Sequence, residues 1–339
     1  METPSGRDGH RKGPRRWVCA LNYVLFRAIR AILVRLPHGG VRALADTLAL
    51  IGWIFDPRHR KVTLENMALA LPELSAKQRK ATAYACFQSL AFSIFDVLAS
   101  SDKSREEIGA RLIPEGWHHL EDAEADGKGV ILLTAHLGNW ETAGQLFAIE
   151  GRPLSFMARP IDDARIEREL TWLRERFGHE GVPKRGGIRR LLSVLRRQGH
   201  IYMMLDQRVH PNEGKAYRFF GRPAYTSPLV ASLSIRTGAP VVPFYGIPTQ
   251  DGRKLRVVIH APIRPSDPPR PGAEQLDAVD RLTLRYVEEL EAVIRERPEL
   301  WFWMHRRWRK NPTLSKAGQA SSRTSDANGD VCVERARHA

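Results

Sequence analysis

The residues best suited to chemistry are His136 and Glu141, in the stretch Ala135-His136-Leu137-Gly138-Asn139-Trp140-Glu141. Histidine ionises near neutral pH and can act as general base toward a hydroxyl that attacks a thioester. A carboxylate on the other ring nitrogen would fix the tautomer and stabilise the imidazolium that forms. No serine or cysteine nucleophile is required, because the acceptor hydroxyl itself attacks. The spacing alone also fits a histidine that only hydrogen-bonds within a strand-to-helix turn, and its surroundings favour the chemistry. Val130 to Thr134 is a short, wholly apolar-to-Thr run of the kind that forms a buried parallel strand. His136 then falls just past the C-terminal end of that strand, the edge at which open α/β sheets bind ligands. Gly138 permits a tight turn, and Asn139 suits the cap of the next helix. Glu141 lies in the first turn, from which it can fold back toward the histidine. The free amides of a helix start favour an oxyanion.

The elements that must position this stretch are legible as alternating apolar runs and helical patterns. Besides residues 130–134, strands are expected at Leu154–Ala158, Ile201–Leu205, Ala239–Ile247 and Leu255–Ile259. Helices are expected at 60–71, 75–99, 140–149, 164–177, 188–197, 228–236 and 273–297, with Ser75 as a cap. Strands alternating with helices imply an α/β fold with a mostly parallel or mixed central sheet flanked by helices. The expected organisation is a disordered basic segment at 1–16, a helical membrane-associated region at 17–100, the α/β domain at 101–312 and a disordered tail at 313–339.

The 339 residues carry 42% hydrophobic side chains, enough for a sizeable core. The three cysteines, Cys19, Cys86 and Cys332, are far apart, so neither a disulfide framework nor a zinc site is expected. A formal net charge of +15 implies polyanionic partners. Nucleic acid is disfavoured, because the basic residues are dispersed and form no nucleic-acid-binding motif. The run Trp17–Phe26 is apolar, but Arg27, Arg30 and Arg35 interrupt its continuation. An uninterrupted span needs about 20 apolar residues. A basic, Trp-bearing helix lying in the membrane interface fits better, with a tilted span or ordinary core helices as alternatives.

The stretch HLGNWE closely resembles the catalytic motif of the bacterial lipid A late acyltransferases, within the lysophospholipid acyltransferase superfamily. Further segments agree in order: Arg60–Pro72, Phe156-Met-Ala-Arg159-Pro160, Arg174-Glu-Arg176, Leu205-Asp206-Gln207, Phe219–Pro223, Thr237–Pro243 and Trp303-Met-His305-Arg306-Arg307-Trp308. The resemblance runs from about residue 20 to residue 312. It implies transfer of a fatty acyl chain from acyl carrier protein, or acyl-CoA, to a hydroxyl of a lipid A precursor or related glycolipid at the cytoplasmic face of an inner membrane. The acyl thioester would be a cosubstrate, and no cofactor or metal is implied. His136 would be the base and Glu141 its partner, with Asn139, Arg159, Arg174, Arg176, Asp206, Gln207, Glu213 and Gly214 binding substrate. His305, Arg306 and Arg307 would meet anionic head groups or face solvent. Many members follow Asp-Gln with a second acid, where this chain has Arg208. That departure leaves another acceptor, such as mannosylated phosphatidylinositol, as the alternative. A non-catalytic lipid-binding member of the fold is a further one, which the intact His136/Glu141 pair disfavours. Acyl carrier protein is acidic, and Arg189/Arg190 and Arg196/Arg197, on a helix beside the sheet, are candidates for docking it.

Overall fold

The described chain opens with helices α1 (Arg16–Arg35), α2 (His38–Phe55), α3 (Pro57–Ala70) and α4 (Ala76–Ala99). The structure is a computed structural model and describes residues 16–158, 160–183, 186–267 and 276–308. The segments expected to be disordered, 1–16 and 313–339, lie outside the described residues apart from Arg16. The start of α3 is set by Pro57 in its first turn and by Asp56, whose side chain accepts from the His59 amide. At the start of α4, Ser75 and Gln78 form a reciprocal capping box.

The chain then continues through α5 (Arg105–Gly109), β1 (Leu112–Glu115), α6 (Trp117–Ala125), β2 (Val130–Thr134), α7 (Trp140–Ile149), β3 (Leu154–Phe156), α8 (Ala164–Glu175), β4 (Glu180–Gly181), α9 (Gly187–Arg196) and β5 (His200–Met204). After these come β6 (Lys215–Phe219), β7 (Arg222–Thr226), α10 (Leu229–Thr237), β8 (Val241–Pro248), β9 (Leu255–Ile259) and α11 (Ala278–Glu296). Among the described residues, seven strands form one sheet in the order β1-β9-β8-β2-β5-β3-β4. Every neighbouring pair in it is parallel except β8 with β9. The fold is therefore α/β with a mixed, mostly parallel sheet, as the alternation of runs implies. β6 and β7 form a separate antiparallel hairpin.

All five residues of β2 are buried, because the strand is covered on both faces. Val130 and Leu132 pack with Ala143, Leu146 and Phe147 of α7. Ile131 and Leu133 face the opposite layer, with Leu191 and Leu195 of α9 and Tyr286 and Leu290 of α11. Met67 of α3 and Ala83 and Cys86 of α4 belong to this second core. A third cluster joins Leu33 of α1 and Ala45 and Ala49 of α2 to Phe87, Phe92 and Phe95 of α4.

Beyond α11 the chain returns to the end of β2. The Gly138 amide donates to Leu300 O at 3.0 Å and the Phe302 amide to His136 O at 3.0 Å. Asn66 of α3 holds this returning segment in place, donating to Trp303 O at 2.8 Å and His305 O at 2.7 Å. Buried carbonyls need such partners, so one asparagine ties the N-terminal helices to the segment beside the strand end.

Candidate active site

β2 and β5 pair in parallel with Thr134 opposite Met204. Two residues further along each strand direction come His136 and Asp206, so the register sets the imidazole beside the carboxylate. Asp206 Oδ1 lies 3.0 Å from His136 Nδ1, and Asp206 Oδ2 accepts from the His136 amide at 3.0 Å. The Trp301 indole donates to the same Oδ2 at 2.9 Å. Asp206 is 1% exposed, and burial alone would raise its pKa. The His136 charge and the donated hydrogen bonds overcome burial and hold its pKa down to about 2. For His136, burial opposes the imidazolium, but the Asp206 carboxylate outweighs it and the pKa is raised above the usual histidine value. With Nδ1–H donating to Asp206, Nε2 is the nitrogen left for a proton from substrate.

The backbone around His136 requires glycine at 138. Gly138 has φ +58°, and a Cβ there would come within 1.9 Å of Gly246 O. The chain thus turns tightly against β8 before α7 begins. A second histidine in the same cavity wall, His179, has the opposite character. Its Nδ1 accepts from the Leu154 amide at 2.9 Å and its Nε2 faces Gly144 O at 3.1 Å. Burial pushes its pKa down to about 4, so it stays neutral and spends both nitrogens on the framework. The buried Cys86 thiol donates to Trp301 O at 3.0 Å and is pushed up to about 12 by burial, which leaves it inert as a nucleophile.

Two cavities meet at this edge. One, of about 340 Å³, is lined by His136, Asp206, Gln207, His179, Tyr202 and Met157 among others. The second, of about 290 Å³, is mostly apolar and runs among Phe26 of α1, Ile94, Val97 and Leu98 of α4, and Leu170 and Leu173 of α8. Trp140, Glu141, Gln145 and Arg174 line both. The bacterial lipid A biosynthesis acyltransferase family model matches residues 6–310. The chain belongs to that family. It is similar to a lipid A biosynthesis lauroyltransferase of Escherichia coli, 23% identical over 300 residues, 88% of this chain and 94% of that one. It is also similar to a lipid A biosynthesis acyltransferase of Haemophilus influenzae, 24% identical over 239 residues, 70% of this chain and 72% of that one. A phosphatidylinositol mannoside acyltransferase of Mycobacterium tuberculosis is 29% identical over 131 residues, 38% of this chain and 42% of that one.

In this acyltransferase the carboxylate on His136 Nδ1 is Asp206, where Glu141 was expected. Glu141 is taken by Arg174 of α8, which donates from Nη2 at 2.6 Å and from Nε at 3.0 Å. A bidentate guanidinium pair outcompetes a single imidazole contact. Glu141 still adds to the field that favours the imidazolium. Gln207 joins the site directly, its amide nitrogen 3.3 Å from His136 Nε2.

Other expected substrate contacts have framework partners, and two of them, Asn139 and Arg176, also line the apolar cavity. Asn139 is buried, caps α7 through the Thr142 amide at 3.1 Å and donates to Asp96 at 2.8 Å. Arg176 donates to Ser100 O at 3.1 Å and Ser101 O at 2.6 Å, closing the turn after α4. Glu213 is exposed in the short 3-10 turn Pro211–Glu213 and lines neither cavity. Gly214 serves close packing, since a Cβ there would lie 2.4 Å from Thr226 O. Arg159 lies outside the described residues. Arg307 neither meets a head group nor faces solvent: it is 1% exposed and donates to Gln207 O at 3.0 Å and Tyr225 O at 2.7 Å. It thereby fixes the backbone that carries Gln207. Arg306 is exposed.

Proposed function

We propose that this acyltransferase moves a fatty acyl chain from a carrier thioester to a hydroxyl of a lipid A precursor or a closely related glycolipid. The observation that carries the reading is the His136–Asp206 pair opening on a cavity whose wall is shared with an apolar one. His136 Nε2 takes the proton of the acceptor hydroxyl as its oxygen attacks the thioester carbonyl. The tetrahedral intermediate collapses, the C–S bond breaks, and the imidazolium returns the proton to the leaving thiolate. Asp206 stays ionised throughout and stabilises the imidazolium. The acyl chain occupies the apolar cavity between α1, α4 and α8, and the Arg174–Glu141 pair stands where the chain meets the reacting carbonyl. The family membership supports the lipid A acceptor. The partial likeness to a mannoside acyltransferase, together with Arg208 after Asp206-Gln207, supports mannosylated phosphatidylinositol as the second acceptor to test.

The same reading sets α1 in the membrane interface at the cytoplasmic face of the inner membrane. Trp17, Leu21, Val24 and Leu25 are 56–62% exposed, an apolar surface suited to lipid. On its other side Arg27 and Arg30 pair with Glu169 of α8 at 3.0 and 2.9 Å. α1 is long and apolar enough to cross a membrane. A crossing would carry these ion pairs into hydrocarbon, at high cost, whereas a helix lying in the interface keeps them. Replacing Trp17, Leu21 and Leu25 by Gln should lower co-sedimentation with anionic vesicles at least about tenfold, since each buried apolar side chain contributes about 1.5–3 kcal/mol. Unchanged co-sedimentation would sink the interfacial placement of α1.

The activity itself is tested with purified protein, an acyl thioester and a glycolipid in vesicles. Thiol release that requires a glycolipid hydroxyl, with the acyl chain recovered on that glycolipid, supports the reading. Hydrolysis alone, or no release with either acceptor, contradicts it.

A further inference from the structure

We propose that the first turn of α9, with Ile188, Arg189 and Arg190, is the docking surface for an acidic carrier protein that presents the acyl thioester. The inference rests on the acyl-transfer reading above. α9 connects β4 to β5, so its N-terminal end lies at the sheet edge that carries His136 and Asp206. Gly187 is pressed against Met157, whose Sδ would lie 2.4 Å from a Cβ at that position, and Met157 lines the His136 cavity. The turn that follows therefore borders the catalytic cavity. Arg196 and Arg197 sit at the far end of the helix, seven residues and so about 10 Å further along it. Of the two arginine pairs, only Arg189 and Arg190 are beside the chemistry.

The chemistry of this surface fits an acidic protein better than a lipid surface. The apolar face of α9 is already spent, with Leu191, Leu192 and Leu195 buried against the sheet. A helix that binds lipid needs that face free. What remains outward is Ile188, 46% exposed, followed by Arg189 and Arg190, both exposed. One apolar contact next to two cations matches the centre and rim of a small, charge-steered protein interface. The pair between Arg190 and Glu180, at 2.9 Å, is itself exposed and weak enough to exchange for an incoming carboxylate. No acid in the first turn of α9 offsets the two arginines.

The test compares two donors and two double variants in full-length protein. The donors are an acyl chain on an acidic carrier protein and the same chain on a short, carrier-free thiol. Arg189→Glu with Arg190→Glu should lower kcat/KM for the carrier-borne donor at least about tenfold at low salt, flatten its salt dependence and spare the carrier-free donor. Arg196→Glu with Arg197→Glu makes the same change in net charge and should spare both. Equal loss on both donors, equal loss in both variants, no loss with the carrier, or a loss of vesicle binding in place of carrier use would overturn the proposal. Wild-type protein that uses neither donor would instead remove the acyl-transfer reading on which it rests.

Discussion

His136→Ala should transfer acyl chains about 10²–10⁴-fold more slowly than the wild type while remaining folded, because a positioned general base is worth about that much. A hydroxyl is a poor nucleophile until its proton is removed, and no other group described at this edge is equipped to remove it. His179 is held neutral with both nitrogens in use, and Cys86 is buried with its thiol pushed up to about 12. The fold should survive because Asp206 keeps two donors, the residue 136 amide at 3.0 Å and the Trp301 indole at 2.9 Å. Thermal unfolding near the wild-type midpoint, with turnover reduced on matched donor and acceptor, is the expected result. Wild-type turnover would remove His136 from the mechanism.

Asp206→Asn should cost about 10²–10⁴-fold in the chemical step and leave substrate binding nearly intact. The amide is the same size, but it removes the charge that outweighs burial at His136. It also leaves the imidazole free to adopt the tautomer whose proton sits on Nε2, the wrong nitrogen for a base. Linkage makes Asp206 a stabilising group as well. Its pKa is depressed from 3.8 to about 2, so its contribution is fully present above the unfolded value and lost as pH falls toward 2. The asparagine protein should therefore lack that part of the acid dependence of stability.

The histidine, the strand before it and the helix after it were all readable, because each is local: an apolar run, a glycine that must turn and an asparagine that caps. The partner of the histidine was not. Asp206 is 70 residues away in sequence and meets His136 only through the β2–β5 register. The signal available was that both apolar runs are followed, within two residues, by an ionisable side chain. Glu141 looked like the partner because it is near in sequence, and nothing local revealed Arg174 on α8. Arg176 follows Arg174 by two residues, and residues so spaced do not share a helix face. Arg174 therefore lines both cavities, while Arg176 reaches only the apolar one and closes the turn after α4 at its wall. The β6–β7 hairpin was missed although its turn is marked: Phe220 and Gly221 have φ of +51° and +69°, and the glycine is the visible half of that pair. β1 and β4 have only four and two residues, too few for an apolar period to stand out.

The most direct test of the His136–Asp206 pair as the base of this reaction is the pH dependence of single-turnover transfer, measured for the wild type and for Asp206→Asn over about pH 5 to 9. Asp206 favours the imidazolium, so removing its charge must lower the pKa of the base. The wild-type rate should rise with pH through a limb above the ordinary histidine value, and in Asp206→Asn that limb should move to lower pH with a plateau about 10²–10⁴-fold down. Superimposable profiles, or a limb that moves to higher pH, would contradict the account.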